Sequence, residues 1–141
     1  MPAREAALQM LYALDLDGGR QSAREVEHWY QQAHPLPPAV AARARALVAA
    51  VEAQRSEIER RIEKHAIGWR LERMSVVDRC VLKLATAEIL LAPEAPRAAI
   101  QAAMKLAQKF SQPEAVAFIQ GLLEAIAREL ASQTEAAPHA G

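Results

Sequence analysis

The sequence contains little of several residue types, and each shortage excludes a class of protein. Only one of the 141 residues, Cys80, is a cysteine, which excludes an internal disulfide framework and indicates a reducing compartment. Aromatic residues make up 4% of the chain although hydrophobic residues make up 52%. The apolar content is therefore mainly Ala, Leu, Val and Ile, which is typical of packed helices, and it predicts an all-α protein.

Long apolar runs and an excess of one charge are also missing. No run is long enough to span a bilayer, and the first residues, MPAREAALQM, have no signal-peptide pattern, so we expect a cytoplasmic protein that does not enter a membrane. Lys and Arg together number 17, as do Asp and Glu, so the net charge is zero. Such a molecule has no overall field that attracts a polyanion. Any nucleic acid must be bound by a local patch or with the help of a partner.

The side-chain patterns that support catalysis or metal binding are weak. The four histidines are scattered, and none lies three or four residues from a second histidine or from the cysteine. Cys80 lies in an apolar segment, where a thiol usually behaves as a small hydrophobe. The glycines follow helices, apart from Gly121, and form no phosphate-binding loop. We therefore expect no enzyme activity, no metal and no cofactor.

Hydrophobic periodicity and helix-stop residues predict about seven helices. The first runs from Pro2 to about Asp17, because proline suits an opening turn and two glycines follow. Ser22 and Glu25 form the pattern of a capping box that starts the second helix. The apolar stripe of the second helix is predicted to contain Val26, Trp29, Tyr30 and Ala33.

The third helix follows the prolines at positions 37 and 38, and a break is predicted near Gln54 to Ser56. The break rests on SEIE, Ser56 to Glu59, which repeats the capping pattern inside a long periodic segment. The fourth helix ends near Gly68.

The fifth helix is predicted to start at Ser75, with Asp78 in its first turn. It is apolar on so much of its circumference, through to Leu91, that we expect it to be central. Two further helices follow PEAP and SQP. Gly121 lies inside the last of them, where glycine costs about 1 kcal/mol relative to alanine. Close packing against a neighbouring helix is the favoured explanation, ahead of direct contact with a ligand.

Four segments distributed along the chain carry a resemblance to a known family. They are AREAALQMLYALDL (3–16), WRLERMSVVDRCVLKLATAEIL (69–90), AAIQAAMKLAQKF (98–110) and FIQGLLEAIARE (118–129). In order and spacing they are similar to the signature segments of NusB, the family of bacterial transcription antitermination factors. The resemblance implies an all-α fold of two packed three-helix bundles. We place it in one domain, residues 1–130, followed by a flexible tail, residues 131–141.

The resemblance also implies partners and residues that bind them. The implied partners are a boxA-type single-stranded RNA and ribosomal protein S10 (NusE), within a transcription elongation complex that serves ribosomal RNA operons. The implied S10 surface consists of Tyr12, Asp15, Glu72, Arg73, Asp78 and Glu114. The implied RNA surface consists of Arg4, Gln9, Lys105, Lys109, Phe110, Phe118 and Gln120.

The chemistry of these residues supports both roles and leaves an alternative for each. An acidic face attracts a basic ribosomal protein; alternatively, Asp78 only caps a helix, and Glu72 and Arg73 form a solvated ion pair worth under about 1 kcal/mol. Lys105 and Lys109 share one helix face that can meet phosphates, although such lysines usually face water. The phenylalanines can stack bases, but Phe110 and especially Phe118 are expected more often in a core.

The sequence departs from the family pattern at several positions that concern RNA. Only Met1 and Pro2 precede the first segment, where the family usually has a run of arginines, so we expect weaker binding of RNA by the protein alone. Gln101 and Gln120 replace the usual asparagines, and Glu124 replaces an aspartate. The longer amide keeps the hydrogen-bonding groups but changes their reach.

Other functions remain open at this level. One is a helical protein-interaction module with weak or no RNA binding. Another is an accessory domain related to those of ribosomal RNA cytosine methyltransferases. A small helical enzyme ranks last, because Glu88 is the one candidate for a buried acid, and we expect it to reach solvent or to pair with an arginine of a neighbouring helix. A homodimer is possible.

Overall fold

The computed structural model describes residues 1–136, and within that range it contains seven α-helices and no strand, so the all-helical prediction is confirmed. A 3-10 turn, Leu71–Arg73, precedes the fifth helix. The helices are α1 (Pro2–Asp17), α2 (Ala23–Ala33), α3 (Pro38–Ala53), α4 (Arg55–His65), α5 (Val76–Leu91), α6 (Arg97–Phe110) and α7 (Pro113–Ala136).

The helix ends follow from local hydrogen bonding. Ser22 and Glu25 form the predicted capping box, and Ser75 Oγ accepts a hydrogen bond from the backbone N–H of Asp78 at the start of α5. The break between α3 and α4 is also confirmed. The predicted cap at Ser56 is wrong, because Ser56 lies inside α4 and Gln54 occupies the cap position without a side-chain hydrogen bond. Gln54 leaves the helical conformation, and this change alone separates the two helices.

The helices pack as two groups around α5. The first group is α1, α2 and α3; the second is α5, α6 and α7, with α4 packed across α5 and α7. Helix α5 also packs against α1 and α3, which confirms its predicted central position. Its fully buried side chains include Val81, Leu82, Leu84 and Ile89.

Contacts at the two ends of α5 show how the other helices are placed. Helix α1 runs opposite to α5, because Arg4 binds Glu88 near the end of α5 and Asp15 binds Arg79 near its start. The start of α5 also meets the turn between α6 and α7. The last turn of α1, residues 67–79 and residues 111–118 therefore gather at one end of the molecule, which we call the head.

Three apolar positions differ from the sequence-based prediction. Trp29 and Ala33 are exposed, and Val26 is the buried residue of α2, because this short helix turns only one narrow side towards α1 and α3. Leu91 is exposed because it is the last residue of α5 and lies beyond the packed part of the helix.

The predicted close packing at Gly121 is wrong. A Cβ atom added there would meet no atom within 4 Å, because Gly121 lies on the outer side of α7.

The predicted tail begins as helix, since α7 continues through Ala136, and residues 137–141 lie outside the described part of the chain. None of the described helices combines the length and the apolar character that a membrane-spanning segment needs.

Candidate nucleic-acid and protein interface

The residues predicted to bind a protein partner come from four elements that meet at the head. Tyr12 is 38% exposed and lies one turn before Asp15 on α1. Glu72 and Arg73 are exposed in the 3-10 turn, and Glu114 is exposed in the first turn of α7. The fold thus brings to one end residues that are about 100 positions apart in the sequence, and none of them is buried in the core.

Asp15 is used for an internal ion pair. Its two carboxylate oxygens accept hydrogen bonds from Nε and Nη2 of Arg79, at 2.7 and 2.5 Å. Arg79 Nη1 also donates to the carbonyl oxygen of Met74, which holds the end of the 3-10 turn. The hydrogen bonds from Arg79 lower the pKa of Asp15 despite its partial burial. Asp15 therefore fixes the head, and its contact with a partner stays a prediction.

Asp78 is also held from inside the molecule. Ser111 Oγ donates a hydrogen bond to Asp78 Oδ1 and so ties the end of α6 to the start of α5. Of the predicted acids, Glu72 and Glu114 are the ones that face solvent. Glu72 lies 3.6 Å from Arg70, rather than pairing with Arg73, and both partners are more than 70% exposed. A pair this exposed contributes under about 1 kcal/mol and leaves Glu72 free to change partners.

Lys105 and Lys109 lie on the side of α6 that faces α1. Lys109 Nζ is 3.0 Å from Glu5 Oε1 on α1 and 5.3 Å from the ring centroid of Phe110. Lys105, one turn earlier, is exposed and makes no ion pair with any side chain that the structure describes. Gln9 follows Glu5 by one turn, so it lies on the same side of α1. We call these residues the strip; the ion pair of Lys109 with Glu5 is the described contact between its two helices.

Arg4 adds no free positive charge to this strip, because it is paired with Glu88 of α5. Its Nε and Nη2 atoms donate to the carboxylate of Glu88 at 2.9 to 3.1 Å, and Arg43 of α3 lies 3.7 Å from the same carboxylate. The expected pairing of Glu88 with an arginine of a neighbouring helix is confirmed. Because the Glu88 side chain is only 10% exposed, Arg4 is needed to neutralise it.

The two α7 residues predicted to bind RNA lie on different flanks of the helix. Phe118 and Gln120 are two positions apart, or about 200° around the axis. The prediction of a core position for Phe118 is wrong: it is 38% exposed, because it lies beside the buried row that Ile119 begins. Phe110, in contrast, is partly buried against the core.

Sequence reasoning missed Trp69, which lies next to Phe118, and two exposed residues close to Trp69 in the chain. Trp69 contacts the Phe118 ring, with the centroids 6.5 Å apart, and it is 56% exposed. Ile67 and Arg70 flank it and are also exposed. The sequence feature that could have indicated this site is a tryptophan close to arginines in a segment without helical periodicity.

A separate cavity of about 650 Å³ lies among α1, α2 and α3, where Glu27 binds Arg45. None of its lining residues belongs to the predicted RNA or S10 surfaces. Within the described residues, no group of three His, Cys, Asp or Glu side chains is arranged to hold a metal ion.

Comparison with known proteins gives consistent matches. The model of the NusB family matches residues 1–128. The transcription antitermination protein NusB of Koribacter versatilis is 42% identical over 130 residues, covering 91% of this chain and 88% of that protein. The protein of the same name from Sorangium cellulosum is 40% identical over 128 residues, covering 90% of each chain. A crystal structure of the antitermination factors NusB and NusE in complex with double-stranded RNA superposes with a TM-score of 0.82, at 27% identity, covering 91% of this chain and 95% of that one.

Proposed function

The chain belongs to the NusB family, and we propose that it is a transcription antitermination factor. In this proposal it binds boxA-type single-stranded RNA together with ribosomal protein S10 (NusE), in the cytoplasm, and supports transcription of ribosomal RNA operons. The family match over residues 1–128 is the observation that carries the proposal. The known structure of a related NusB with NusE and RNA supports the combination of partners.

The strip along α1 and α6 supports RNA binding at the residue level. Lys105 is the exposed cation of this strip that has no described ion-pair partner, so an RNA phosphate can bind it without displacing another side chain. Lys109 must exchange Glu5 for a phosphate, but that pair is exposed and therefore weak. The strip offers few free cations, and this supports joint binding of RNA with S10 rather than binding by this protein alone.

The head supports S10 binding. Tyr12 offers an exposed aromatic ring, which is the kind of residue that anchors protein interfaces. Glu72 and Glu114 supply exposed negative charges at the head, and such charges steer a basic partner into register.

A binding titration tests the proposal. Labelled boxA-like RNA is titrated with the protein, with S10 and with both together, at two salt concentrations. We expect the mixture to bind far more tightly than either protein alone. We also expect Lys105→Glu to weaken the complex and to lower the slope of log K against log salt by roughly 0.7, the value for one phosphate contact in a single strand.

Arg24→Glu is the matched control, because it makes the same change in charge at an exposed position of α2 outside both predicted surfaces. RNA that stays unbound in all three titrations contradicts the proposal. Equal losses in Lys105→Glu and Arg24→Glu would show that net charge, and not the strip, determines affinity.

A protein-interaction module with little RNA binding is the second candidate. It is favoured by the internal use of Arg4 and the pairing of Lys109, which leave few cations for phosphates. In that case S10 binds the protein, but RNA does not join the complex.

A further inference from the structure

Trp69 and Phe118 form an exposed aromatic pair at the head. Their ring centroids are 6.5 Å apart, and the ring planes meet at 58°. Trp69 is 56% exposed and Phe118 is 38% exposed. The tilted contact covers an edge of the pair and leaves ring surface open to solvent. Large exposed aromatic surface is costly in water, so this arrangement indicates a binding surface.

The backbone holds Trp69 in place. Gly68 has a φ of 82°, a conformation that favours glycine, and the N–H of Trp69 donates to the carbonyl oxygen of Ala66 at 2.9 Å. The following residue, Arg70, is extended and leads into the 3-10 turn. Because the turn fixes the backbone at Trp69 and the Phe118 ring restricts one side of the indole, binding a stacked ligand costs less conformational entropy than binding to a loose side chain would.

The charges around the pair are mixed. Arg70 precedes the 3-10 turn, and Glu72 and Arg73 lie within it. Glu114 lies one turn before Phe118 on α7. Two positive and two negative charges give no strong field at this place. Affinity must therefore come from the rings, and the guanidinium groups add planar surfaces of the kind on which bases also stack.

We propose that Trp69 and Phe118 together form a stacking site for an unpaired base of single-stranded RNA. The inference rests on the proposed function, and it adds Trp69, a residue that the predicted RNA surface does not contain. The two rings touch, so the site is continuous with the predicted RNA surface at Phe118. The two exposed arginines beside the indole suit RNA, because their planar groups and the aromatic rings can both stack on bases.

Tryptophan fluorescence gives a direct test. The chain has two tryptophans, so Trp29→Phe leaves Trp69 as the single indole. This variant is titrated, with S10 present, with boxA-like RNA and with an abasic ribose-phosphate chain of the same length. We expect the RNA to quench Trp69 emission by stacking and the abasic chain, which carries the same phosphates, to leave the emission unchanged.

The affinity of substituted proteins gives a second readout. Stacking of one base on an aromatic side chain raises affinity by about 5-fold to 150-fold, so we expect Trp69→Ala to weaken RNA binding by this factor. Trp69→Phe keeps a ring and should recover most of it. Leu91→Ala is the control, since Leu91 is also exposed and apolar but lies at the far end of α5. Circular dichroism checks that each variant is folded.

The outcomes separate the two proposals. RNA binding by the unsubstituted protein with S10 supports the proposed function, whatever Trp69 does. If Trp69→Ala then binds RNA as tightly as the unsubstituted protein, the stacking site is wrong. It is also wrong if Trp69→Ala loses S10 while its RNA affinity is kept, because the rings would then be a protein contact. If no RNA binds to any form, both proposals fail together.

Discussion

At the scale of single residues, two ion pairs fix α1 against α5. Arg4 and Asp15 lie eleven positions apart, about three helical turns, so they project from the same side of α1. Arg4 donates hydrogen bonds to both carboxylate oxygens of Glu88 on α5. Asp15 accepts hydrogen bonds from Arg79 on α5 at both of its own carboxylate oxygens. The two pairs therefore set the angle and register of the helices whose ends form the head.

Asp15→Asn should lower the free energy of unfolding at neutral pH. It should also reduce the change in that free energy when the pH is lowered. The Arg79 hydrogen bonds lower the pKa of Asp15 below its ordinary value of 3.8. The pair therefore stabilises the fold above that value, and the stabilisation is lost as the pH falls through the lower folded pKa. We expect a loss of about 1–3 kcal/mol at pH 7, measured by urea unfolding.

Glu72→Gln is the control for this experiment, because Glu72 is exposed and its nearest cation is 3.6 Å away. A change within about 0.5 kcal/mol is expected for it. Equal free energies of unfolding for Asp15→Asn and the unsubstituted protein at pH 7 would show that the ion pair does not stabilise the head.

At the scale of elements, α7 combines a buried row with an outer side that faces solvent. Ile119, Leu123 and Ile126 are fully buried, whereas Gly121 faces solvent with no atom near the position of a Cβ. The flanks of this outer side carry Phe118 and Gln120. Helix α7 therefore contributes to the core and to the predicted RNA surface through different sides of the same segment.

Gly121→Ala should stabilise the protein by about 0.5–1 kcal/mol, because alanine restricts the unfolded chain and fits the open side of the helix. Thermal unfolding measures this as a higher Tm. The contrasting variant is Gly18→Ala, at the end of α1, where φ is 70° and a side chain is strained. That variant should lower the Tm.

RNA titration of Gly121→Ala adds a functional readout. Unchanged affinity would mean that the glycine is not required by a ligand. Reduced affinity in a more stable protein would mean that RNA or S10 approaches the backbone at this position. A lower Tm for Gly121→Ala contradicts the open environment described here.

At the scale of the whole molecule, α5 joins the two helix groups. It packs against five other helices, and its side chains are buried on most sides. Cys80 is part of this surface and is 2% exposed. Burial in an apolar environment raises the pKa of its thiol to about 12, so the folded protein holds it in the neutral, unreactive form.

Cys80 should therefore report the opening of the whole core. At pH 8 we expect a disulfide reagent to label the native protein very slowly and the urea-unfolded protein rapidly, with the labelled fraction following the circular dichroism transition. Fast labelling of the native protein would show that α5 separates from its neighbours without global unfolding.

Much of this protein is determined by local sequence. The helices, the Ser22 and Ser75 caps, the glycine stop after α1 and the central position of α5 follow from periodicity and from hydrogen bonding between residues close in the chain. The family also follows from the sequence, since its segments are distributed along the chain.

Only the tertiary structure decided which charged and aromatic side chains are available to a ligand. The sequence shows Arg4, Asp15 and Asp78 as polar residues on helix surfaces, but each finds its partner on an element far away along the chain. Trp69 and Phe118 are 49 positions apart and meet only after folding. Helix periodicity reports which side of one element is apolar, whereas ion pairs and ring contacts depend on how separate elements are packed.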